Sequence, residues 1–589
     1  MTTVTSPPAT RGERLRSNAR GWVATARERP LAVSTAALAL LMLIGAVNLY
    51  RKGFGLTFNY DEWAWVMNRR GWSPATLLDP HNEHLSLIPV LIFKLLFVTV
   101  GIDSYWPYRV AVILAHLACV LLVFVLVRRR LGDPFALVLA ALILFLGSAW
   151  QDLLWPFQVG YLGSVAAGLG MLVALDRVDA TGRVLACILL AVAIGSSSVG
   201  IPFAGVALVE VLLRRRAAWS TSERWKHVWV AAVPLALYAL WFVVYGNPNA
   251  TPGNAHGFGL VRENGPQLPS YVAEMAANAF AGLAGLAIDW GRPLAVGALA
   301  VAIWWSAQRG LSVRTLSLIV GLLLFWGLTA LLRAQLNAPV DSRYIYPGAV
   351  LLVLLGAELF RGLRPSGRAV VVAAAVALVA AVANYGPLKA GSAQFQDWSR
   401  YLRAELAALQ IAGPTAPPTL RPDPVRAPDI TAGKYFPAIR ELGSPADTPA
   451  ELRAQAEPQR EAADAVLVAG LQAGLRPLPA NRPATGSRPP LEASAGVAAT
   501  RSRGCSLLRA NAAGATATFA VAAHGLVISN PGRGNVEVRI RSFADNFPAS
   551  ALGAVAPDQT ALLVLPRRPG IVWHAQVSVP AEARVCARR

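Results

Sequence analysis

Two adjacent carboxylates, Asp61 and Glu62, follow the first hydrophobic segment of the chain in the tetrapeptide Tyr60-Asp61-Glu62-Trp63. An ionisable group beside a membrane span is costly, so such a pair suggests chemistry. A carboxylate there could take the proton from an acceptor hydroxyl, and we assign this general-base role to Asp61. Glu62 would orient the partners of Asp61 or bind acceptor hydroxyls. The structural alternative is an exposed acidic pair that caps a loop helix.

A second polar group, His81-Asn82-Glu83-His84, lies in the same loop. If the segment is helical, the two imidazoles are three residues apart on one face. We predict that His81, Glu83 and His84 line a substrate site, and capping of a helix that begins near Leu85 is an equal alternative. Metal ligation ranks third, because no third protein ligand stands at a recognised spacing.

A further acid, Asp152, and an amide, Gln158, flank the junction between two later apolar segments. Hydroxyl-rich ligands are held by carboxylates and amides over aromatic faces. Nearby tryptophan and phenylalanine residues offer such faces, although for each tryptophan taken individually an interfacial aromatic belt is the better explanation. We therefore predict Asp152 as a second catalytic acid and Gln158 as a substrate-binding residue.

Three arginines fall where the positive-inside rule disfavours them, namely Arg109, Arg333 and Arg343. A guanidinium matches phosphate oxygens bidentately, so these residues are predicted to bind a lipid phosphate. Arg343, followed by Tyr344, is the best placed because it directly precedes an apolar segment. Its alternative is a simple ion pair with Asp341.

The composition identifies the kind of protein that must position these residues. Of 589 residues, 55% are hydrophobic and only 15% are charged, which excludes an ordinary soluble domain and indicates a polytopic membrane protein. The net charge of +21 comes from short arginine runs beside apolar segments. The positive-inside rule accounts for that pattern better than nucleic-acid binding does.

Segment length and arginine placement predict about eleven membrane-spanning helices. They are residues 31–50, 108–127, 134–150, 157–175, 184–197, 199–213, 227–245, 293–307, 312–332, 345–360 and 369–385. The apolar stretch 86–101 is predicted to be an interfacial or re-entrant helix, since counting it as a crossing would place Arg128-Arg129-Arg130 outside. Residues 1–30 then form a cytoplasmic tail, and the outer loop 51–107 carries the acidic motif.

The same threading places everything after residue 385 outside the membrane. Residues 391–500 are predicted to be an amphipathic helix followed by a weakly patterned region rich in proline and alanine. Residues 501–589 show two-residue alternation, which predicts a β-sandwich-like module. Cys505 and Cys586 bracket this module and could form a disulfide there, whereas Cys119 and Cys187 lie in apolar spans.

The order of these features resembles the GT-C fold glycosyltransferases, in particular those of the actinobacterial type. The likeness consists of an inside N-terminus, a first outer loop with Asp61-Glu62 and an apolar helix, a second acid at Asp152 and an extracytoplasmic C-terminal module. It covers about residues 1–385 in topology, and only Asp61-Glu62 matches a family motif residue by residue. The resemblance implies that Asp61 is a general base or metal-proximal acid.

A GT-C enzyme would use a polyprenyl-phosphate-linked sugar at the outer face. The expected activity is transfer of a hexosyl or pentosyl group, with inversion, to an envelope glycan, lipid or protein, and Arg343-Tyr344 would hold the donor phosphate. No cofactor is required by the sequence, and Mg²⁺ or Mn²⁺ is left open. The alternatives are a transporter or flippase of lipid-linked sugars, which would want two related halves, and a non-catalytic scaffold of the same fold.

Overall fold

The computed structural model describes residues 30–82, 84–177, 179–213, 225, 227–246, 258–363, 365–479, 487–502, 504–521 and 525–588. The helices of the first part of the chain are α1 (Pro30–Lys52), α2 (Asp61–Asn68), α3 (Pro74–Leu78), α4 (Leu87–Val100), α5 (Trp106–Leu131), α6 (Asp133–Leu144), α7 (Trp150–Leu154), α8 (Val159–Leu175), α9 (Ala180–Ser196) and α10 (Ile201–Leu213). They are followed by α11 (Trp229–Trp241), α12 (Phe258–Asn264), α13 (Leu268–Ala284), α14 (Ile288–Arg309), α15 (Val313–Arg333), α16 (Ile345–Leu359), α17 (Gly367–Ala412), α18 (Ala432–Leu442), α19 (Pro449–Ala454) and α20 (Glu457–Gly470).

Each predicted membrane span coincides with a helix among the described residues. Eight of these helices are long and apolar enough to cross a membrane, and a ninth is obtained if the bent pair Val261–Ala284 and Ile288–Arg309 forms one span. The predicted count of eleven was higher because it included α9 and α10, which are shorter. The chain is a polytopic α-helical membrane protein. The predicted cytoplasmic tail 1–30 lies outside the described residues, apart from Pro30.

The short helices α9 and α10 are separated by a break whose backbone is buried in protein. Ser197 is extended, and residues Ser198–Gly200 form one 3₁₀ turn. The buried hydroxyl of Ser164 donates hydrogen bonds to the carbonyl oxygens of Ala193 and Ser197. The same two carbonyl oxygens also accept the N–H groups of Ser197 and Gly200, so protein groups satisfy the backbone at the break, as a broken span requires.

Two compact units divide the described chain, and they do not follow the predicted domain boundaries. The membrane unit comprises residues up to 54, 71–96 and 106–394, and the C-terminal unit comprises 55–70, 97–105 and 395–589. The predicted outer loop 51–107 is divided between the units, because 55–70, which include α2, and 97–105 belong to the C-terminal unit, whereas 71–96 belong to the membrane unit. The amphipathic helix predicted at 391–412 is not separate either, since α17 is one continuous helix of 46 residues.

The region 413–479 is more ordered than its composition predicts, because it contains α18, α19 and α20. These helices are 6 to 14 residues long, which is too short for a clear periodic signal. Local signals define them instead. At α19 the Thr448 hydroxyl and the Glu451 carboxylate form a reciprocal capping box, with Pro449 in the first turn.

In its described residues, the C-terminal module contains eleven antiparallel strands in two sheets. They are β1 (Gly474–Leu478), β2 (Leu491–Ala495), β3 (Val497–Ser502), β4 (Cys505–Ala510), β5 (Thr516–Val521), β6 (Leu526–Ser529), β7 (Val536–Arg541), β8 (Gly553–Val555), β9 (Thr560–Val564), β10 (Trp573–Ser578) and β11 (Glu582–Ala587). The sheet orders are β1-β9-β6-β11-β4-β3 and β2-β5-β10-β7-β8. The module thus begins at Gly474 and not at 501, because β1, β2 and most of β3 precede the residues in which alternation was recognised.

The alternation predicted for β7 and β10 is confirmed, since buried and partly buried residues alternate along both strands. This is the pattern of a sheet with one face in the core. Cys505 and Cys586 are joined by a disulfide between the neighbouring strands β4 and β11, with Cα atoms 4.6 Å apart. The disulfide is buried with Val527 and Leu562 in the core of the module.

Candidate functional site

The acidic motif opens α2, and the residue before it has an unusual backbone. Tyr60 has φ +45°, in the half of conformational space that favours glycine. Its N–H donates a 2.9 Å hydrogen bond to the carbonyl oxygen of Arg426. Asp61 follows as the first helical residue with only 9% of its surface exposed. The alternative prediction of an exposed acidic pair is therefore wrong, because Asp61 is almost fully buried.

Glu62 is fully buried and makes local structural contacts. Its Oε2 atom accepts the Asn59 N–H at 2.8 Å and the Tyr105 hydroxyl at 2.9 Å. The Glu62 N–H in turn donates to the Asn59 carbonyl oxygen at 3.0 Å. These bonds fix the first turn of α2, so within the C-terminal unit Glu62 anchors the helix that carries Asp61.

The tryptophans of α2 do not offer the sugar-stacking faces considered from the sequence. Trp63 and Trp65 are at most 1% exposed. The Trp63 indole N–H donates to the Phe58 carbonyl oxygen at 2.9 Å, and its ring lies 6.3 Å from that of Tyr435 in α18. Both tryptophans are core residues of the C-terminal unit.

In the membrane unit, Asp152 is the strongest candidate for a ligand-binding residue. It lies in α7 with no exposed surface, and neither carboxylate oxygen has a hydrogen-bond partner among the described residues. Buried carboxylates are normally paired or hydrogen-bonded. Asp341 and Arg343 lie within electrostatic reach of Asp152. Gln158, predicted with it, is 1% exposed and its side-chain oxygen also has no partner in this part of the structure.

Hydrogen bonds join the segment around α7 to the one before α16. The Arg343 N–H donates to the Gln151 side-chain oxygen at 3.1 Å, and the Gln151 N–H donates to the Ser342 hydroxyl at 3.2 Å. The Ser342 hydroxyl donates to the Ser148 carbonyl oxygen at 2.8 Å. The backbones that carry Asp152 and Arg343 are thus tied together.

Arg343 makes the ion pair that was its structural alternative. Its Nη2 lies 2.9 Å from the Asp341 carboxylate, and its guanidinium lies 5.3 Å from the centre of the Tyr344 ring. The Arg343 side chain keeps 30% of its surface exposed.

Arg333 contacts Asn82 and His84 of the histidine motif. Its Nη2 donates to the Asn82 carbonyl oxygen at 3.0 Å and lies 3.1 Å from His84 Nε2, which must act as the acceptor. The motif is not helical, because the N–H and C=O groups of His81 and His84 bond reciprocally in a tight turn. The helix that follows begins at Leu87 instead of Leu85. Glu83 lies outside the described residues.

His81 packs its ring 5.2 Å from Phe157, the neighbour of Gln158. The turn therefore contacts the segment that follows Asp152. No group of three histidine, cysteine, aspartate or glutamate residues within the described ranges could hold a metal ion. The third-ranked interpretation of the motif as a metal site gains no support.

Arg109 was predicted to bind a lipid phosphate, but it is buried against backbone carbonyl groups. It is 1% exposed, and its Nη1 donates to the carbonyl oxygens of Leu153, at 3.0 Å, and Leu154. Its Nη2 donates to the Leu49 carbonyl oxygen at 3.1 Å. The guanidinium therefore satisfies carbonyl groups at the end of α7. Arg109 positions the helix that carries Asp152.

Tyr161, which was not predicted from the sequence, lies near these groups. It lies within electrostatic reach of Asp152, Arg333, Arg343 and Tyr344. The available signal was its position three residues after Gln158, at the start of an apolar helix, where a tyrosine also fits an interfacial belt. The structure thus brings together Asp152, Arg333, Arg343 and Tyr344, with His84 beside Arg333. Asp61 and Glu62 belong to the other unit.

The fold defines a polytopic helical membrane protein with an antiparallel C-terminal β-module. No protein-family model matches the chain, and no curated protein matches it. Among solved structures it is similar to ArnT from Cupriavidus metallidurans in a crystal structure bound to undecaprenyl phosphate. The identity is 16%, the match covers 66% of this chain and 82% of that chain, and the TM-score is 0.41.

Proposed function

We propose that this chain is a GT-C-type membrane glycosyltransferase, which moves one sugar from a polyprenyl-phosphate donor to an envelope glycan, lipid or protein. The observation that carries the proposal is the buried carboxylate of Asp152, which has no hydrogen-bond partner among the described residues and has Arg343, Arg333 and Tyr161 near it. An acid and cations at the ends of apolar helices suit a substrate that combines sugar hydroxyls with a lipid phosphate.

The proposed chemistry is a single displacement at the anomeric carbon. The acceptor oxygen forms a bond to that carbon while the bond to the phosphate oxygen breaks, which inverts the configuration. The carboxylate of Asp152 takes the proton of the acceptor hydroxyl. Arg343, assisted by Arg333, stabilises the negative charge that develops on the departing polyprenyl phosphate.

Asp61 is retained as the alternative base predicted from the sequence. Glu62 is proposed to act only by holding α2. Parallel substitution of Asp61 and Asp152 separates the two assignments.

The proposed location is a bacterial plasma membrane, with the N-terminus cytoplasmic and the C-terminal module outside. The support is the positive-inside rule, since Arg128-Arg129-Arg130 would lie inside under this threading. The β-module would then bind the growing acceptor. The Cys505–Cys586 disulfide cross-links its core, and disulfides persist in oxidising compartments outside the cytoplasm.

The test is transfer of radiolabelled sugar from polyprenyl-phosphate donors in membranes that contain the wild type, Asp152→Asn, Arg343→Gln or Asp61→Asn, at matched expression. We expect Asp152→Asn to lose at least about a hundredfold in rate, the usual contribution of a general base. Equal loss in Asp61→Asn would make both acids necessary. If Asp152→Asn transfers normally, the mechanism is wrong. Wild-type protein that moves a labelled lipid-linked sugar across vesicles without transferring it would favour the flippase alternative.

A further inference from the structure

Three successive arginines at the end of α5, Arg128, Arg129 and Arg130, line a cavity of about 350 Å³. Its other walls are the turn that leads into α6, the loop after α16 and the first turn of α17. No acidic residue is among the described lining residues. The cavity lies wholly within the membrane unit and plays no part in the site around Asp152.

The cavity walls are fixed by contacts between these segments. The Gly362 N–H donates to the Arg130 carbonyl oxygen at 3.2 Å, which ties the loop after α16 to the end of α5. Arg128 Nε donates to one oxygen of Asp133 at 2.8 Å, and the Ser34 hydroxyl donates to the other at 2.7 Å. The arginine side chains are therefore held in place before any ligand binds.

Acidic residues form ion pairs with the arginines, but in the described part of the structure these pairs do not use all the hydrogen-bond donors of the guanidinium groups. Arg129 Nη1 lies 2.8 Å from Asp176, and Arg130 Nε lies 3.0 Å from Glu358. Arg128 uses only its Nε, so both of its terminal nitrogens have no hydrogen-bond partner among the described residues, and the same is true of Arg129 Nη2. These donors can bind a further anion in the cavity.

The remaining cavity wall is apolar and continues onto a surface that suits lipid. Phe135, Leu363 and Val370 contribute to the lining. Beyond Val370, the next residues of α17, Val371 and Val372, are 68% and 63% exposed. A free inorganic anion would gain nothing from such a wall, whereas acyl chains attached to a phosphate would.

We propose that this cavity binds the phosphodiester headgroup of an anionic phospholipid, with its acyl chains along the start of α17. Basic recesses between membrane helices are suited to such headgroups. By the positive-inside rule the lipid belongs to the cytoplasmic leaflet. The site is independent of the proposed transferase activity, and so is its test.

The experiment measures the unfolding temperature of the full-length protein in detergent after addition of phosphatidylglycerol, phosphatidylcholine or inorganic phosphate. We expect phosphatidylglycerol to raise it by about 2–4 °C more than phosphatidylcholine does. Val370→Trp fills the cavity and keeps every charge, so it should abolish that difference. Arg129→Gln should reduce it, while the control Arg361→Gln should keep it, because Arg361 pairs with Glu358 from outside the lining.

Several results would overturn the assignment. Equal stabilisation by both phospholipids would show that the headgroup charge is not recognised. An equal effect of inorganic phosphate would identify a free anion as the ligand. Retention of the difference in Val370→Trp would place lipid binding elsewhere, and if that variant cannot be purified, retention in Arg129→Gln decides in the same way.

Discussion

Tyr60 donates its backbone N–H to the carbonyl oxygen of Arg426 at 2.9 Å, which couples the acidic motif to a segment far later in the chain. The Arg426 segment is itself fixed, because the Asp423 carboxylate accepts the N–H groups of Val425 and Arg426 at 3.0 and 2.8 Å. Arg426 also stacks its guanidinium 4.3 Å from the centre of the Tyr401 ring. A strained φ at Tyr60 persists only where its surroundings enforce it, and this turn does so.

Asp423→Ala is therefore expected to destabilise the C-terminal unit. The substitution removes the acceptor for two backbone donors and for Arg426 Nη1, which lies 3.1 Å away. Leaving these donors unsatisfied should cost about 2–3 kcal/mol. Denaturant unfolding of the purified protein in detergent measures it. Asp429→Asn is the control, because among the described residues Asp429 accepts a single, long 3.4 Å hydrogen bond from Asn68. An equal loss of stability in Asp429→Asn would contradict the assignment.

Glu405 makes the stability of this region depend on pH. It lies about twenty residues beyond the predicted span 369–385, in the part of α17 that belongs to the C-terminal unit. Burial, together with the neighbouring carboxyl group of Asp423, raises the pKa of Glu405 to about 9. Arg426 opposes this shift only in part. Between about pH 5 and 9 the folded chain therefore holds a proton that the unfolded chain releases.

Stability should consequently fall as pH rises through that window, and Glu405→Gln should flatten the dependence because its amide is neutral throughout. The measurement is the unfolding temperature of both proteins at about pH 5.5, 7 and 8.5. Parallel profiles for the wild type and the variant would show that Glu405 does not carry the effect.

The disulfide gives a third prediction. Cys505 and Cys586 are 81 residues apart in sequence, so the bond restricts a long loop of the unfolded chain. Replacing both by serine should cost about 2–5 kcal/mol in the β-module. Unfolding of the wild type should respond to a reductant, whereas that of the double variant should not. Cys187→Ser is the control, since Cys187 is an unpaired cysteine of α9 and its removal should leave the reductant response intact.

Hydropathy predicted the helices well because a span is a local property of about twenty residues. The β-strands with strict alternation, such as β7 and β10, were likewise predictable. The strands β1 and β2 were missed, because Gly474–Leu478 and Leu491–Ala495 are partly exposed and show no clear alternation.

The site was predicted less completely, because burial and partners depend on tertiary contacts. Asp152 and Arg343 were identified from their residue types at the ends of spans. Two hydrogen bonds could not be deduced from local sequence: the bond from the Tyr105 hydroxyl to the buried Glu62, and the bond from Arg109 to a carbonyl group at the end of α7. The same holds for the membership of α2 in the C-terminal unit, since it depends on contacts with residues beyond 395.

Asp152 should show opposite effects on stability and on activity. A buried carboxylate without hydrogen-bond partners costs folding free energy, so its replacement by a neutral amide should not destabilise the protein. We expect Asp152→Asn to keep or raise the free energy of unfolding, by up to about 1 kcal/mol, while it abolishes sugar transfer.

Arg109→Gln is the matched comparison, because that change removes bonds to the carbonyl groups of Leu153 and Leu154 in the same segment and should lower stability and transfer together. Unfolding and transfer are measured on the same preparations of both variants. If Asp152→Asn lowered the free energy of unfolding as Arg109→Gln does, the Asp152 carboxylate would be a group that stabilises the fold. Its proposed role as the catalytic base would then be contradicted.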